Sequence, residues 1–446
     1  MTGTKKELKA MVVSSIDRRA EESQQLASSI AETPELGYFE FQTSEKIKKA
    51  LEALGLKVEN GLARTGLKAV LQCSTDGPTV AVIGELDGIP CVAHPTADPK
   101  TGASHACGHN LQVTEMVAVA AALSDPAVRG KLSGRVAFMA VPAEEFIEID
   151  RRTALREEGA IAYLGGKQEL VRLGVFDDVD MAMMVHAGGH APEPGFDVPD
   201  LSMGFRAFSI RYKGKASHAA GAPHEGINAL NAAIIGIGAV NALRETFRDE
   251  DNVRVHFIIT KGGTSVNSVP DDVRLEGYVR ALSTDCINRT FDRVIDAFES
   301  GAKAVGASFS ASSLPGYLPL KCSVRLNDLF SSNAEGLVGA DRVKRHTVFS
   351  ASTDLGDLTQ IMPAIQPLAG GTDGALHAPE FGVVDFNSAV LAPAKAMAMT
   401  VIDLLADGAA EAKDLLANFT PVFSKSGYLA NLDASFGVRS SGPESR

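Results

Sequence analysis

Three nearly continuous apolar runs each stop at ionisable residues, and this pattern narrows the fold more than any other feature of the chain. Thr79–Leu86 runs into Glu85-Leu86-Asp87, Arg135–Ala140 into Pro142-Ala143-Glu144-Glu145, and Val179–Val185 into His186. Runs without polar alternation predict strands buried on both faces, the kind found in sheets covered by helices on each side. Helical patterns at 5–31, 43–54 and 111–123 supply the cover, with Thr33-Pro34 and Gly55 closing the first two. Strands that alternate with helices predict an α/β sheet. Ligands of such sheets gather at the carboxyl ends of the strands, so the three polar clusters mark the expected site.

The pattern changes near residue 200. Residues 204–213 alternate like a half-exposed strand, a helix follows at 226–247, Arg254–Thr260 and Asp272–Ala281 alternate again, and Ile287–Val305 is helical. This order predicts a small α+β layer with one open face. Segments 347–359 and 384–407 resume the α/β style. The reading is a catalytic α/β domain (1–199 and 314–446) with an inserted α+β domain (200–313). The Ser/Gly-rich tail, 434–446, is expected to fray.

Composition removes several functions. Lys and Arg number 43 against 55 Asp and Glu, a formal charge of −12. That balance excludes a general nucleic-acid binder and a polybasic membrane anchor. With 45% apolar residues, the chain can bury a large core. The most apolar stretch, Leu230–Leu243, is interrupted by Asn231 and Asn241 and falls short of the roughly 18 residues of a membrane span. The N-terminal apolar run is about four residues, against roughly 7–15 in a secretory signal. Five cysteines, an odd number without a CxxC, argue against a disulfide framework. The expectation is a soluble cytoplasmic protein with no nucleic-acid or membrane partner.

Four segments carry chemistry. In Ser104-His105-Ala106-Cys107-Gly108-His109-Asn110, Cys107 and His109 lie two apart, so an extended backbone would aim both side chains to one side. A thiolate and an imidazole suit a borderline transition metal; a buried Cys beside a loop His is the plainer alternative. Glu144-Glu145 ends a buried strand, where adjacent acids are costly unless paired or metal-bound; a solvated loop pair is the alternative. His186 ends another strand, and His377 closes the glycine-rich run Gly370–His377. Together Cys107, His109, Glu145, His186 and His377 suffice for two metal ions sharing one bridging group, a known device for hydrolysis. In the inserted domain, His218 or Asn267 could polarise a substrate carbonyl. Arg280 could hold a carboxylate in its planar fork.

The chain resembles the metal-dependent aminoacylase and carboxypeptidase-G-type peptidase family. The closer likeness is to its amidohydrolase branch, with the indole-acetyl-amino-acid hydrolases and the aminobenzoyl-glutamate hydrolase. The carrying segments are Gly84–Pro90, His105–Asn110, Pro142–Glu145, Gly214–His218, Asn267–Pro270 and Gly370–His377, in the family's order across nearly the whole chain. The resemblance implies a dinuclear site in the catalytic domain and an inserted lid that also dimerises. Cys107 would bridge the metals, and His109, Glu145, His186 and His377 would be the remaining ligands. Glu144 would be the general base. His218 would reach a neighbouring subunit's site to stabilise the oxyanion, and Asp87 would support the metals. Asn267 and Arg280 match positions near the substrate's carbonyl and carboxylate. Two departures stand out: Asn110 replaces a common Asp, and 146–166 is longer than the family's Gly-rich stretch and puts substrate identity in doubt.

The expected activity is hydrolysis of an amide bond in an N-acyl amino acid, small dipeptide or aryl-amide conjugate. Two divalent ions per subunit, manganese or zinc with cobalt or nickel as further options, would serve a homodimer. Alternatives are hydrolytic deamination of an amino-substituted aromatic acid at the same site, and a non-catalytic partner subunit.

Overall fold

The computed structural model describes residues 3–442, which divide into two units. The first takes 3–201, 320–349 and 353–424; the second takes 202–319, 350–352 and 425–442. In chain order the strands that build the two main sheets are β1 (Val58–Leu62), β2 (Gly66–Gln72), β3 (Thr75–Glu85), β4 (Ser133–Val141), β5 (Met181–Met183), β6 (Gly204–Lys213), β7 (Arg254–Lys261), β8 (Asp272–Ala281), β9 (Ser308–Pro315), β10 (Ala364–Ile365) and β11 (Gly437–Ser441). The helices needed below are α1 (His109–Leu123), α2 (Ile149–Glu157), α3 (Gly166–Arg172), α4 (Ala229–Leu243), α5 (Thr284–Val305) and α6 (Lys425–Ser435).

The first unit centres on a sheet in the order β1-β2-β4-β3-β5-β10. β4, β3, β5 and β10 run parallel, while β1 and β2 join antiparallel at one edge. Every position of β3 from Pro78 to Glu85 is buried, as its unbroken apolar run requires. Helix α1 packs on β3, and Ala392–Leu405 packs on α1. Asn387–Leu405 is long and apolar enough to cross a membrane, but 94% of it is buried, which makes it a core helix.

The second unit is an antiparallel sheet in the order β7-β8-β6-β9-β11. Phe208, Ile210 and Tyr212 of β6, Val273, Leu275 and Val279 of β8, and Phe309 and Ala311 of β9 point to one face. Helices α4 and α5 cover that face. Asn228 caps α4, Ser283 caps α5, and Gly306, at φ 77°, ends α5.

Four expectations need correction. Residues 5–31 form two helices, Gly3–Arg18 and Ala20–Ala31, broken at Arg19. The strand foreseen at Val179–Val185 keeps only Met181–Met183, and His186–Ala187 pairs with Leu368–Ala369 in a separate sheet. The boundary at 313/314 falls inside β9, which runs to Pro315, and the chain re-enters the first unit at Leu320. Finally, 425–442 belong to the second unit. Helix α6 packs on β9, and β11 pairs with β9. Tyr428 and Leu432 anchor α6 in the core, while Arg439 pairs with Asp296 and Glu299. A ladder of backbone hydrogen bonds needs no apolar side chains, so a Ser/Gly-rich composition conceals it. Of the tail expected to fray, 443–446 lie outside the described residues.

Candidate metal centre

The parallel strands deliver their carboxyl ends to one place. Glu85 is the last residue of β3, with Asp87 two residues on; Glu144 and Glu145 follow β4, turned by Ala143 at φ 51°; His186 follows β5. Cys107 and His109 flank Gly108, the residue that opens α1 at φ 83°. A Cβ on Gly108 would come within 2.8 Å of the Ala187 Cβ, so glycine lets this loop sit against the chain that carries His186.

Hydrogen bonds orient the imidazoles. Nδ1 of His109 lies 2.8 Å from the Asp87 carbonyl oxygen and 3.1 Å from Asp87 Oδ1. Nδ1 of His186 lies 2.7 Å from the Ala187 carbonyl oxygen. Carbonyl partners assign the proton to Nδ1 in both rings and leave Nε2 for the centre. The other Asp87 oxygen accepts the Glu145 N–H at 3.0 Å, so one buried carboxylate braces two of the expected ligands. Cys107, His109 and His186 offer donor atoms within 4.8 Å of one another, and so do Cys107, Glu145 and His377. Cys107 Sγ is common to both groups and stands 3.4 Å from His186 Nε2. His377 Nε2 approaches Glu145 Oε1 to 2.9 Å, and its ring is half-exposed.

The donor set fits divalent metal. Glu85 Oε2 and His109 Nε2 are buried without a hydrogen-bond partner, a costly arrangement unless a cation is to be held. Burial, reinforced by Glu85 and Glu145, pushes the Glu144 carboxyl well above the usual carboxylate range. Burial also works to raise Glu145, yet the hydrogen bond and charge of His377 hold it below that range. Two adjacent carboxyls are thus driven apart, one toward holding a proton and one toward staying charged. His105 is buried, and desolvation lowers it to about 3, so it is a neutral core residue outside both donor groups.

His218, Asn267 and Arg280 all lie in the second unit. The structure brings His218 and Asn267 together: His218 bridges to Ser268, and the Ala219 N–H donates to the Asn267 carbonyl oxygen at 3.0 Å. Nδ1 of His218 accepts from the Gly221 N–H at 2.9 Å, which leaves the proton of a neutral ring on the exposed Nε2. Arg280 lies near the opposite end of β8, its guanidinium 4.4 Å from the centre of the Tyr278 ring. The long 146–166 segment is pinned rather than loose. It contains α2, whose wholly buried Arg152 donates to the Leu164 carbonyl oxygen at 2.9 Å.

Sequence reasoning missed two residues here. Glu85 received no role from its motif, although it ends a buried strand just as Glu144 and Glu145 follow one. Lys167, at the start of α3, is wholly buried against Glu85 and Asp354; only the folded chain reveals this.

Residues 202–306 match the peptidase dimerisation domain of the M20 family. The chain is 30% identical to the Xaa-Arg dipeptidase of Mus musculus over 89% of each chain. It is 31% identical to one of the subunits of the p-aminobenzoyl-glutamate hydrolase of Escherichia coli K12, over 62% of this chain and 54% of that one. Among solved structures, a dinuclear metal-binding M20 peptidase of Bacillus subtilis superposes with a TM-score of 0.68 at 21% identity, covering 87% of this chain and 99% of that one. At this identity and coverage of a full-length relative, the chain belongs to the M20 family of metal-dependent hydrolases of carbon–nitrogen bonds.

Proposed function

We propose that this enzyme hydrolyses the amide bond of a dipeptide or N-acyl amino acid, aryl-acyl conjugates included, with Glu144 as the proton carrier. One observation carries the reading: Cys107, His109, Glu145, His186 and His377 converge beside Glu144 at the ends of parallel strands. Two divalent ions held by those five residues, manganese or zinc, would polarise the attacking water and the scissile carbonyl. Glu144 takes the proton of the attacking water on its carboxylate and passes it to the nitrogen of the departing amine. Asp87 keeps His109 in the tautomer that presents Nε2. His218 donates its Nε2 hydrogen to the oxyanion, Asn267 holds the substrate carbonyl, and Arg280 pairs with the free carboxylate.

The placement of the last three residues supports a homodimer. His218 and Asn267 lie at one end of β8 and Arg280 at the other, about 25 Å of strand apart. Both ends cannot reach one small substrate from the same unit, so a second copy supplies one of them. On the outer strand β7, Ile258 and Ile259 are exposed, as are Ile234 and Ile235 on α4, apolar area that a partner would cover. All five cysteines are unpaired, which fits a reducing cytosol.

Product analysis tests the reading. The metal-loaded protein is offered dipeptides, N-acyl amino acids, aminobenzoyl-glutamate and amino-substituted aromatic acids, and amino acid and ammonia are assayed separately. Amino-acid release is expected. Ammonia without amino acid would replace this reading with hydrolytic deamination.

A further inference from the structure

We propose that Glu85 is a further metal ligand, presented to the His109 side of the centre by a buried lysine; this rests on the two-ion reading above. Lys167 Nζ lies 2.5 Å from Glu85 Oε1 and also pairs with Asp354 Oδ1, while the Lys167 main-chain N–H donates to Asp354 Oδ2 at 3.0 Å. All three side chains are wholly buried. An ammonium held between two buried carboxylates does little for stability in itself, so its retention needs another reason. Here it occupies one oxygen of Glu85 and aims the other.

That other oxygen, Oε2, has no hydrogen-bond partner and faces His109 Nε2 at 3.2 Å, which has none either because the proton of the ring is on Nδ1. Two acceptor atoms opposed at this distance share a cation, a proton in the metal-free chain or a metal ion in the loaded one. Bonds near 2.1 Å to one ion place neighbouring donors roughly 3.0–3.4 Å apart. The pairs Cys107–His186 at 3.4 Å and Glu145–His377 at 2.9 Å have similar spacing.

Glu85, His109 and Glu144 each offer a donor atom within 4.8 Å of the other two, a group that shares His109 with the Cys107–His109–His186 group. Glu85 therefore adds a charged donor on the His109 side, where Glu144 also faces the centre.

The test is metal binding, read independently of turnover. Glu85→Gln removes the charge. Glu85→Asp keeps a partner for Lys167 and withdraws the donor by one methylene. Stoichiometry by mass spectrometry and chelator-competition titration with zinc and with manganese are compared with the unaltered protein. Two ions in the parent, one of them weakened tenfold or more in both variants, is the expected result. Circular dichroism of the metal-free proteins reports folding; should Glu85→Gln fail to fold, Glu85→Asp decides. Two ions at parental affinity in a folded variant would overturn the ligand role and leave the two-ion reading intact. Fewer than two ions in the parent would overturn that reading, and this inference with it.

Discussion

In the first unit, Glu85, Asp87, Glu144 and Glu145 are all buried near the ends of parallel strands, where Glu85 and Glu145 add to burial in pushing Glu144 toward holding a proton. In the second unit, Asp272 at the start of β8 is met by Arg211 Nε at 2.7 Å, Lys261 Nζ at 2.7 Å and Arg274 Nη2 at 3.1 Å. One region crowds several carboxyls together in the interior; the other gives a single carboxylate three cations at the rim of a sheet. Crowded buried carboxyls cost stability unless something charged is to be bound, so the contrast separates a reaction centre from a scaffold.

The largest effect expected from disturbing this contrast is at Glu144. Glu144→Gln keeps the shape and the metal ligands but cannot carry a proton. Turnover should fall about 10²–10⁴-fold at unchanged metal content, measured by steady-state kinetics beside elemental analysis. Undiminished turnover would place the proton carrier elsewhere. A smaller effect is expected on the outer strand of the second unit. Ile258→Lys should weaken self-association at least tenfold, about 1.4 kcal/mol, in sedimentation or light scattering; a monomeric parent would remove the dimer from the reading.

The smallest effect is at Asp272. Burial works to raise its carboxyl, but hydrogen bonds from Arg211, Lys261 and Arg274 prevail and hold it well below its ordinary range. A carboxyl depressed in the folded state adds stability above its unfolded pKa, about 3.9, and loses it as pH falls toward the folded value. Asp272→Asn should therefore lower stability by no more than about 1 kcal/mol at neutral pH, and the difference should close below about pH 4. Denaturant melts at pH 7 and pH 3 give both numbers; a gap that widens in acid would reverse the assigned sign.

How much of the molecule is legible in its sequence follows the same division. The apolar runs that make β3 and β4 also mark where they stop, so the amino-acid order alone places Asp87, Glu144 and Glu145 at strand ends. Cys107 and His109 declare themselves by spacing. Glu85 lies in plain view, but its partner Lys167 is 82 residues away and Asp354 lies 187 beyond that lysine, so no local pattern links them. The strand β11 escapes for a different reason: its side chains are largely exposed, and backbone ladders leave no apolar signature.

That last strand also bears on the order of assembly. β11 returns to β9 from about 120 residues downstream, a loop whose closure is entropically slow to be repaid. During synthesis the sheet of the second unit therefore waits, with the N–H and C=O groups on the outer side of β9 bare, until the intervening chain has been made. In that interval the strand is a template for pairing with another nascent chain, and the arrival of β11 closes it.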